Sequence, residues 1–160
     1  GKLLNFDGAV SFLNAGKRTW DSVILKPDIK KGIRLNTVGF LKTVAKMQEY
    51  GISPKRGIIL AGDPGTGKTI VCKALMSEAD NISCITADAY AMATQGYFSD
   101  LYELAQDLSP SIVFMEDLDF PGQGRSEFYH GSPALLALLE EMDGITEKTA
   151  IVTVATTKLF

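Results

Sequence analysis

The segment Gly62–Thr69 reads GDPGTGKT and has the residue types and spacing needed to hold a polyphosphate. It fits the pattern GxxxxGK[ST], in which glycines allow successive backbone N–H groups to point at phosphate oxygens. The Lys68 ammonium is expected to reach the β and γ phosphates, and the Thr69 hydroxyl to ligate Mg²⁺. A glycine-rich turn without a ligand is the alternative, but the segment stands between a predicted strand and a predicted helix, as phosphate binding requires. The residues predicted to contact the nucleotide here are Asp63, Pro64, Gly65, Thr66, Gly67, Lys68, Thr69 and Ile70.

Glu116 and Asp117 are adjacent carboxylates at the end of the apolar run Ile112–Met115. In a parallel sheet, ligands bind beyond the carboxyl ends of the strands, so both acids are expected beside the phosphate loop. Phosphoryl transfer to water needs one acid that holds magnesium and a second group that orients the attacking water. We assign Glu116 to the metal, together with Thr69, and Asp117 to the water. The alternative is that these acids mark the solvent end of a strand, and Asp119 is either a supporting acid or a cap.

These residues need a scaffold, and the chain alternates apolar, β-branched runs with segments of helical period. The alternation is typical of a parallel sheet with crossover helices, and runs that are apolar throughout indicate strands covered on both faces. The expected fold is therefore α/β, a three-layer α/β/α phosphate-loop fold with a mainly parallel central sheet. The predicted strands are Gly57–Ala61, Ile82–Thr86, Ile112–Met115 and Ala150–Ala155.

Four segments have the spacing of helices. Residues 98–108 place their apolar side chains on one stripe, and helices are also expected to begin within 65–79 and within 132–144. A longer helix is predicted upstream, over Lys30–Tyr50. Together with the strands, these helices would cover both faces of a sheet.

The composition limits the classes of fold and partner. The chain has 160 residues, 46% of them hydrophobic, which is enough for one domain with a core that needs no disulfide or structural metal. Cys72 and Cys84 lack metal-site spacing and are expected to be buried free thiols. The net charge of −3 argues against nucleic acid as the main partner. Without an apolar run of about 20 residues or a signal peptide, we expect no membrane span in this segment and a cytoplasmic location.

From about Thr19 to its last residue, the chain resembles the AAA family of ATPases. The segments that carry the resemblance follow each other in the family's order. The resemblance implies that residues 1–18 are an N-terminal extension or linker. It implies that residues 19–160 are the large nucleotide-binding subdomain, truncated before the family's arginine finger and helical lid. The matching segments are TWDSVIL (Thr19–Leu25), GIILAGDPGTGKT, IVFMEDLD, LLALLEEMDG and VTVATT.

The resemblance also implies roles for residues outside the two motifs. It places Val23 and Ile24 against the adenine of bound ATP or ADP, and the last strand between the phosphate-loop strand and the acidic strand. Thr157 then occupies the position called sensor 1, which touches the attacking water or the γ phosphate. The complete protein would be a hexameric ring, a homo-oligomer that uses Mg²⁺-dependent ATP hydrolysis to act on a protein substrate.

Two features of the sequence depart from the family pattern. The family usually has Asp followed by Glu at the acidic strand end, whereas this chain has Glu116 followed by Asp117, so the water-orienting side chain is one methylene shorter. A misplacement of about 1 Å costs on the order of a hundredfold in rate. Sensor 1 is most often Asn, and Thr157 offers a single hydroxyl in its place. Both departures concern groups that act in hydrolysis, so they leave the prediction of nucleotide binding unchanged and predict slower hydrolysis.

The family grips its substrate polypeptide with a pore loop, in which an aromatic residue is followed by an apolar residue and Gly. The corresponding stretch here is Asp88–Phe98, after the second predicted strand. Tyr90 with Met92 is the first candidate for the pore element, and Tyr97 is the second. The alternative is that these aromatic side chains pack against the neighbouring helix.

Three functions remain open from the sequence. The first is an ATPase that remodels, unfolds or translocates a protein substrate. The second, motivated by the inverted order of Glu116 and Asp117, is a nucleotide-gated binding module or ring subunit with little hydrolysis. The third is a small-molecule kinase, which shares the phosphate loop, although the adjacent acids and the TWDSVIL segment argue against it.

Overall fold

A six-stranded sheet lies at the centre of the structure, a computed structural model that describes residues 1–52, 54–118, 133–144 (for 133–137 the backbone alone) and 149–158. The strands are β1 Leu3–Phe6, β2 Val10–Phe12, β3 Lys55–Ala61, β4 Ser83–Asp88, β5 Ser111–Glu116 and β6 Ile151–Thr157. The helices are α1 Pro27–Asn36, α2 Val38–Leu41, α3 Val44–Glu49, α4 Lys68–Glu78, α5 Ala89–Gln95, α6 Phe98–Asp107 and α7 Pro133–Gly144, with a 3₁₀ turn over Trp20–Ser22.

The sheet is parallel apart from one edge. Its order is β2-β1-β4-β5-β6-β3, and of the neighbouring pairs β1 and β2 alone are antiparallel. β6 lies between β3 and β5, so that Thr153 pairs with Gly57 on one side and with Val113 on the other. The α/β fold with a mainly parallel sheet is confirmed, and the last strand lies between the phosphate-loop strand and the acidic strand, as the family resemblance implies.

Helices cover both faces of this sheet. In β5 the side chains alternate: Ile112 and Phe114 pack in the core shared with α2 and α4, and Val113 and Met115 pack in the core shared with α5 and α6. β5 and β6 are buried along nearly their whole length. For β3 the prediction of two covered faces is wrong, because β3 is an edge strand with a cavity along it and Ile59 is 46% exposed.

The other element predictions are confirmed with ends shifted by two residues at most for the strands. The predicted helix over Lys30–Tyr50 is wrong as a single element, since it is divided into α1, α2 and α3. Thr37 breaks it: its φ is −116° and its ψ is −100°, and its hydroxyl donates to the Ile33 carbonyl over 2.8 Å. The break turns Val38 and Phe40 into the core, so tertiary burial outweighs helical continuity.

The N-terminal residues contribute two strands that the sequence analysis did not predict. β1 pairs parallel with β4, with Leu4 opposite Ile85, and β2 pairs back onto β1. Leu4 and Phe6 are buried, so part of the predicted extension or linker, 1–18, belongs to the sheet. The dipeptide Asp7–Gly8 between the two short runs was the available signal, because it favours a hairpin turn.

The two cysteines are free and buried, as predicted. Burial raises the pKa of each thiol to about 12, so both are protonated at neutral pH. Of the helices that the structure describes, none has the length and apolarity to cross a membrane. The cytoplasmic location stays a prediction. Asp119, offered above as a supporting acid or cap, lies outside the described residues.

Candidate nucleotide-binding site

The predicted phosphate-binding segment forms a tight loop between β3 and α4. Gly65 and Gly67 have φ of 80° and 92°, a left-handed conformation that residues with a Cβ rarely adopt. The N–H and the hydroxyl of Thr66 both donate to the Asp63 carbonyl, over 3.3 and 2.8 Å, which closes the loop. α4 then begins at Lys68, so its first N–H groups and the positive end of its dipole lie at the loop. Helix N-termini of this kind bind anions.

The Lys68 ammonium lies against the same loop. Its Nζ donates to the carbonyls of Gly62 and Asp63, the second over 2.9 Å. Both partners are neutral, and within the described ranges Lys68 takes part in no ion pair. Its positive charge lies beside the backbone N–H groups of the loop, where it favours the oxygens of a polyphosphate.

A cavity of about 370 Å³ brings together the second group of predicted residues. Thr69 from α4, Glu116 from the end of β5 and Asp117 directly after it line this cavity, and so does Asp88 from the end of β4. Lys73 also lines it, one turn beyond Thr69 on the same face of α4. This acidic cavity thus places three carboxylates and a hydroxyl beside the first turns of the phosphate-loop helix.

The charges in the acidic cavity act on Glu116. Its pKa is raised, first by burial and then by the Asp117 carboxylate, with a smaller rise from Asp88, while Lys73 lowers it. Crowded, partly buried carboxylates are stabilised by a bound cation, and carboxylate and hydroxyl oxygens are ligands that Mg²⁺ prefers. Among the described residues no cluster of three or more His, Cys, Asp or Glu has the geometry of a metal site. The Thr69 hydroxyl and the Glu116 carboxylate supply oxygen ligands that fit a Mg²⁺ ion, which usually keeps several water ligands and binds substrate phosphates.

Asp117 has a constrained backbone. Its φ is 52°, in the left-handed region, where Asp and Asn are better tolerated than other residues with a Cβ. The Asp117 N–H donates to the Thr156 hydroxyl over 3.1 Å, and the Leu118 N–H donates to the Thr156 carbonyl over 2.9 Å. Thr156 is not among the residues predicted from the sequence. Strand alternation indicates only that Thr156 and Thr157 point to opposite faces of β6, and no local pattern pairs Thr156 with Asp117.

Thr157, predicted at sensor 1, is joined to the phosphate loop through its backbone. It pairs with Ala61 at the end of β3, and its carbonyl accepts from the Gly62 N–H over 3.2 Å. It is buried, and it is not among the residues that line the acidic cavity. The structure thus places Thr157 beside the loop and Thr156 beside the acid.

Val23 and Ile24 lie on another side of the phosphate loop. With the loop glycines and Ile70 they line a cavity of about 150 Å³, in which Val23 is buried and Ile24 is 96% exposed. A larger cavity of about 780 Å³ follows the open edge of β3 and reaches Lys68. Its walls are largely aliphatic, which suits a flat base. These walls come from Leu25, Ile29, Ile33, Ile58, Ile59 and Leu60.

The three residues considered for the pore loop, Tyr90, Met92 and Tyr97, differ in how far they are buried. Met92 on α5 is 0% exposed in the core, so its predicted role with Tyr90 in gripping a substrate is wrong. Tyr97 packs edge-on against Phe6, with ring centroids 6.3 Å apart, so packing is the better interpretation there as well. Tyr90 is 52% exposed, and its role in gripping a substrate stays a prediction.

Comparison with known sequences decides the family. The sequence model of the "ATPase family associated with various cellular activities (AAA)" matches residues 58–160, well over half of the chain. The chain belongs to the AAA family. The match contains the phosphate loop, the acidic strand and β6, and it begins after Val23 and Ile24. This AAA domain is an ATPase and its nucleotide is ATP, as predicted, and family membership favours an ATPase over a small-molecule kinase.

Curated relatives of this AAA domain are similar over most of its length. The ATP-dependent zinc metalloprotease FtsH of Hahella chejuensis is 31% identical over 149 residues, which cover 87% of this chain and 24% of that protein. FtsH 1 of Rhodopirellula baltica is 33% identical over 75% of the chain and 19% of its own length. FTSH 7, chloroplastic, of Arabidopsis thaliana is 34% identical over 75% of the chain and 16% of its own length. The chain therefore spans about a quarter or less of these relatives.

Proposed function

We propose that this domain binds ATP with Mg²⁺, and that ATP hydrolysis drives the remodelling, unfolding or translocation of a protein substrate. The observation that carries the proposal is the placement of the phosphate loop, Thr69, Glu116 and Asp117 around the start of one helix. The relatives' printed names, ATP-dependent metalloproteases, support a polypeptide as the substrate.

In this proposal different groups of the chain bind the triphosphate, hold the metal ion and activate the attacking water. The N–H groups of Gly62–Thr69 and the Lys68 ammonium bind and orient the triphosphate. Thr69 and Glu116 hold Mg²⁺, which would neutralise charge on the β and γ phosphates. Asp117 accepts a hydrogen bond from the attacking water and receives its proton, while Thr157 lies beside the loop to orient the γ phosphate.

The rest of the nucleotide would lie along the aliphatic walls. Val23 and Ile24 are the proposed contacts to the adenine, because they border the loop glycines on the side away from the acidic cavity. Burial of a flat base against such side chains adds affinity without a change in the chemistry. Beyond the domain, we propose a hexameric ring of the complete protein with Tyr90 as an exposed contact to the substrate.

Lys68→Ala tests the ATPase site. In the purified protein this variant should lose at least about a hundredfold of ATP turnover, because a preorganised positive charge at the transferred phosphate is removed. Lys17→Ala is the matched control, since Lys17 is exposed and lies outside the cavities at the loop. Equal turnover in the wild type and Lys68→Ala would exclude this site as the source of hydrolysis.

A passive module is the second candidate. It is favoured by Asp117, whose carboxylate is one methylene shorter than Glu and whose backbone is held in a left-handed conformation. Under this alternative ATP binds tightly, and turnover is the same in the wild type and in Asp117→Ala. Calorimetric ATP affinity measured together with turnover separates the two candidates.

A further inference from the structure

Three side chains from distant parts of the chain meet at the C-terminal end of α4. The Trp20 Nε1 donates to Glu78 Oε2 over 2.7 Å, and the Arg34 Nε donates to the same oxygen over 3.0 Å. The Arg34 Nη2 donates to Glu78 Oε1, so the guanidinium engages both carboxylate oxygens. The Arg34 guanidinium also lies 5.6 Å from the centre of the Trp20 ring. We call Trp20, Arg34 and Glu78 the clamp.

The clamp is reinforced by bonds on either side of Trp20. The Lys30 ammonium donates to the Trp20 carbonyl over 2.9 Å, which ties the 3₁₀ turn to α1. The Arg18 N–H donates to the Ser77 hydroxyl over 3.0 Å, which ties the same segment to α4. The Val23 N–H donates to the Trp20 carbonyl over 3.2 Å. This bond links the backbone of Val23 to that of Trp20 within the 3₁₀ turn.

α4 connects the clamp to the phosphate loop. Glu78 is its last residue and Lys68 its first, and a helix of this length is a rigid spacer of about 15 Å. At the other end Val23 is buried, and Ile24, whose side chain is 96% exposed, borders the cavity beside the loop glycines. The segment Trp20–Leu25 therefore contacts the C-terminal end of α4 through Trp20 and borders the phosphate loop through Val23 and Ile24.

We propose that Glu78 is a positioning residue for the nucleotide base: by holding Trp20 and Arg34, it fixes the wall formed by Val23 and Ile24 and so raises affinity for ATP without affecting the phosphate contacts. This inference rests on the proposed function, in which that wall meets the adenine. Charge supports it, because the hydrogen bonds from Arg34 and Trp20 lower the pKa of Glu78 and keep it ionised at neutral pH. Because the Arg34–Glu78 ion pair is partly exposed, it contributes little to global stability. Its expected effect is instead on the position of Trp20, through the two-pronged contact of the guanidinium.

The test compares two ligands that share a phosphate tail. ATP and inorganic tripolyphosphate, each with Mg²⁺, are titrated calorimetrically into the wild type, Glu78→Gln and the control Asp80→Asn. Asp80 is exposed, two residues beyond Glu78, and its replacement removes the same charge. Glu78→Gln should weaken ATP binding about tenfold, the equivalent of roughly 1.4 kcal/mol, and leave tripolyphosphate binding unchanged. Asp80→Asn should change neither affinity.

The possible results distinguish a failure of the positioning role of Glu78 from a failure of the proposed ATPase function. Unchanged ATP affinity in Glu78→Gln, or an equal loss for both ligands, would overturn the positioning role while the nucleotide site stands. If wild-type protein binds neither ligand, or Lys68→Ala binds tripolyphosphate as well as the wild type does, the proposed function fails and the positioning role fails with it.

A second readout follows the clamp directly, because Trp20 is the single tryptophan of the chain. Glu78→Gln and Arg34→Met should each shift the Trp20 fluorescence, and Arg34→Lys, which keeps the charge but not the two-pronged contact, should shift it less. In the wild type, ATP should change this emission and tripolyphosphate should not. Emission that is identical in wild type and Glu78→Gln, with the fold intact by circular dichroism, would contradict the clamp.

Discussion

The backbone N–H of Asp117 donates to the hydroxyl of Thr156 over 3.1 Å, and this contact joins the end of β5 to the end of β6. It holds Asp117 at a φ of 52°, a conformation that would otherwise be disfavoured. The backbone that carries the Asp117 carboxylate is thereby held by a buried residue that does not itself line the acidic cavity.

Replacing Thr156 with Val should slow hydrolysis with little effect on ATP binding. The change removes the acceptor and leaves the Asp117 N–H without its partner, so the carboxylate loses its position. We expect kcat to fall between about tenfold and a hundredfold, because small misplacements are costly in rate. Steady-state kinetics measure this, with Thr156→Ser, which keeps the hydroxyl, as the control. An unchanged kcat in Thr156→Val would show that this contact does not position the acid.

Asp117→Asn should abolish most hydrolysis while the fold and ATP affinity are kept. Asn tolerates the left-handed backbone as Asp does, but its amide cannot accept the proton of the attacking water. The expected loss in kcat is about a hundredfold or more. Asp117→Ala should lose the same activity and, in addition, about 1 kcal/mol of stability from its backbone conformation. Parallel assays of turnover, ATP binding and urea unfolding distinguish the two effects, and equal stability of both variants would contradict the backbone argument.

Tyr102 and Thr153 form a buried hydrogen bond of 2.7 Å between α6 and β6. Tyr102→Phe leaves the Thr153 hydroxyl without that partner, and we expect a loss of about 1–3 kcal/mol in the free energy of unfolding. The double variant with Thr153→Val removes both polar groups and should recover part of that loss. Urea unfolding measures both. Because neither residue lines the acidic cavity, the KM for ATP should stay at its wild-type value.

The contribution of Glu78 to stability should depend on pH in one direction. Its folded pKa is lowered, chiefly by the hydrogen bond from Arg34, so its ionised form stabilises the fold above the unfolded pKa of about 4.3. That stabilisation is lost as the pH falls through the lower, folded pKa. The difference in unfolding free energy between the wild type and Glu78→Gln should be no more than about 1 kcal/mol at pH 7, since the Arg34 side chain is half exposed, and should shrink below pH 4. A difference that does not vary between pH 7 and pH 3 would contradict this prediction.

The strands β3 to β6 and the helix after the phosphate loop could be predicted from local pattern. The apolar runs of β4, β5 and β6 are the direct consequence of burial inside a covered sheet, and GDPGTGKT requires its own local backbone. The pairing of β1 with β4 and the break at Thr37 could not be predicted in this way. Leu4 and Phe6 gain burial from contacts far along the chain, and Val38 and Phe40 are buried at the expense of a continuous helix.

The amino-acid sequence by itself determined the parallel α/β architecture, the phosphate loop and the position of Glu116 and Asp117 at a strand end, because each depends on residue types close together in the chain. The tertiary structure alone decided which threonine supports the acid, that Met92 is buried and that Glu78 holds Trp20. These three results depend on distances between segments that only folding brings together, and residues 39 to 58 positions apart have no local signal that pairs them.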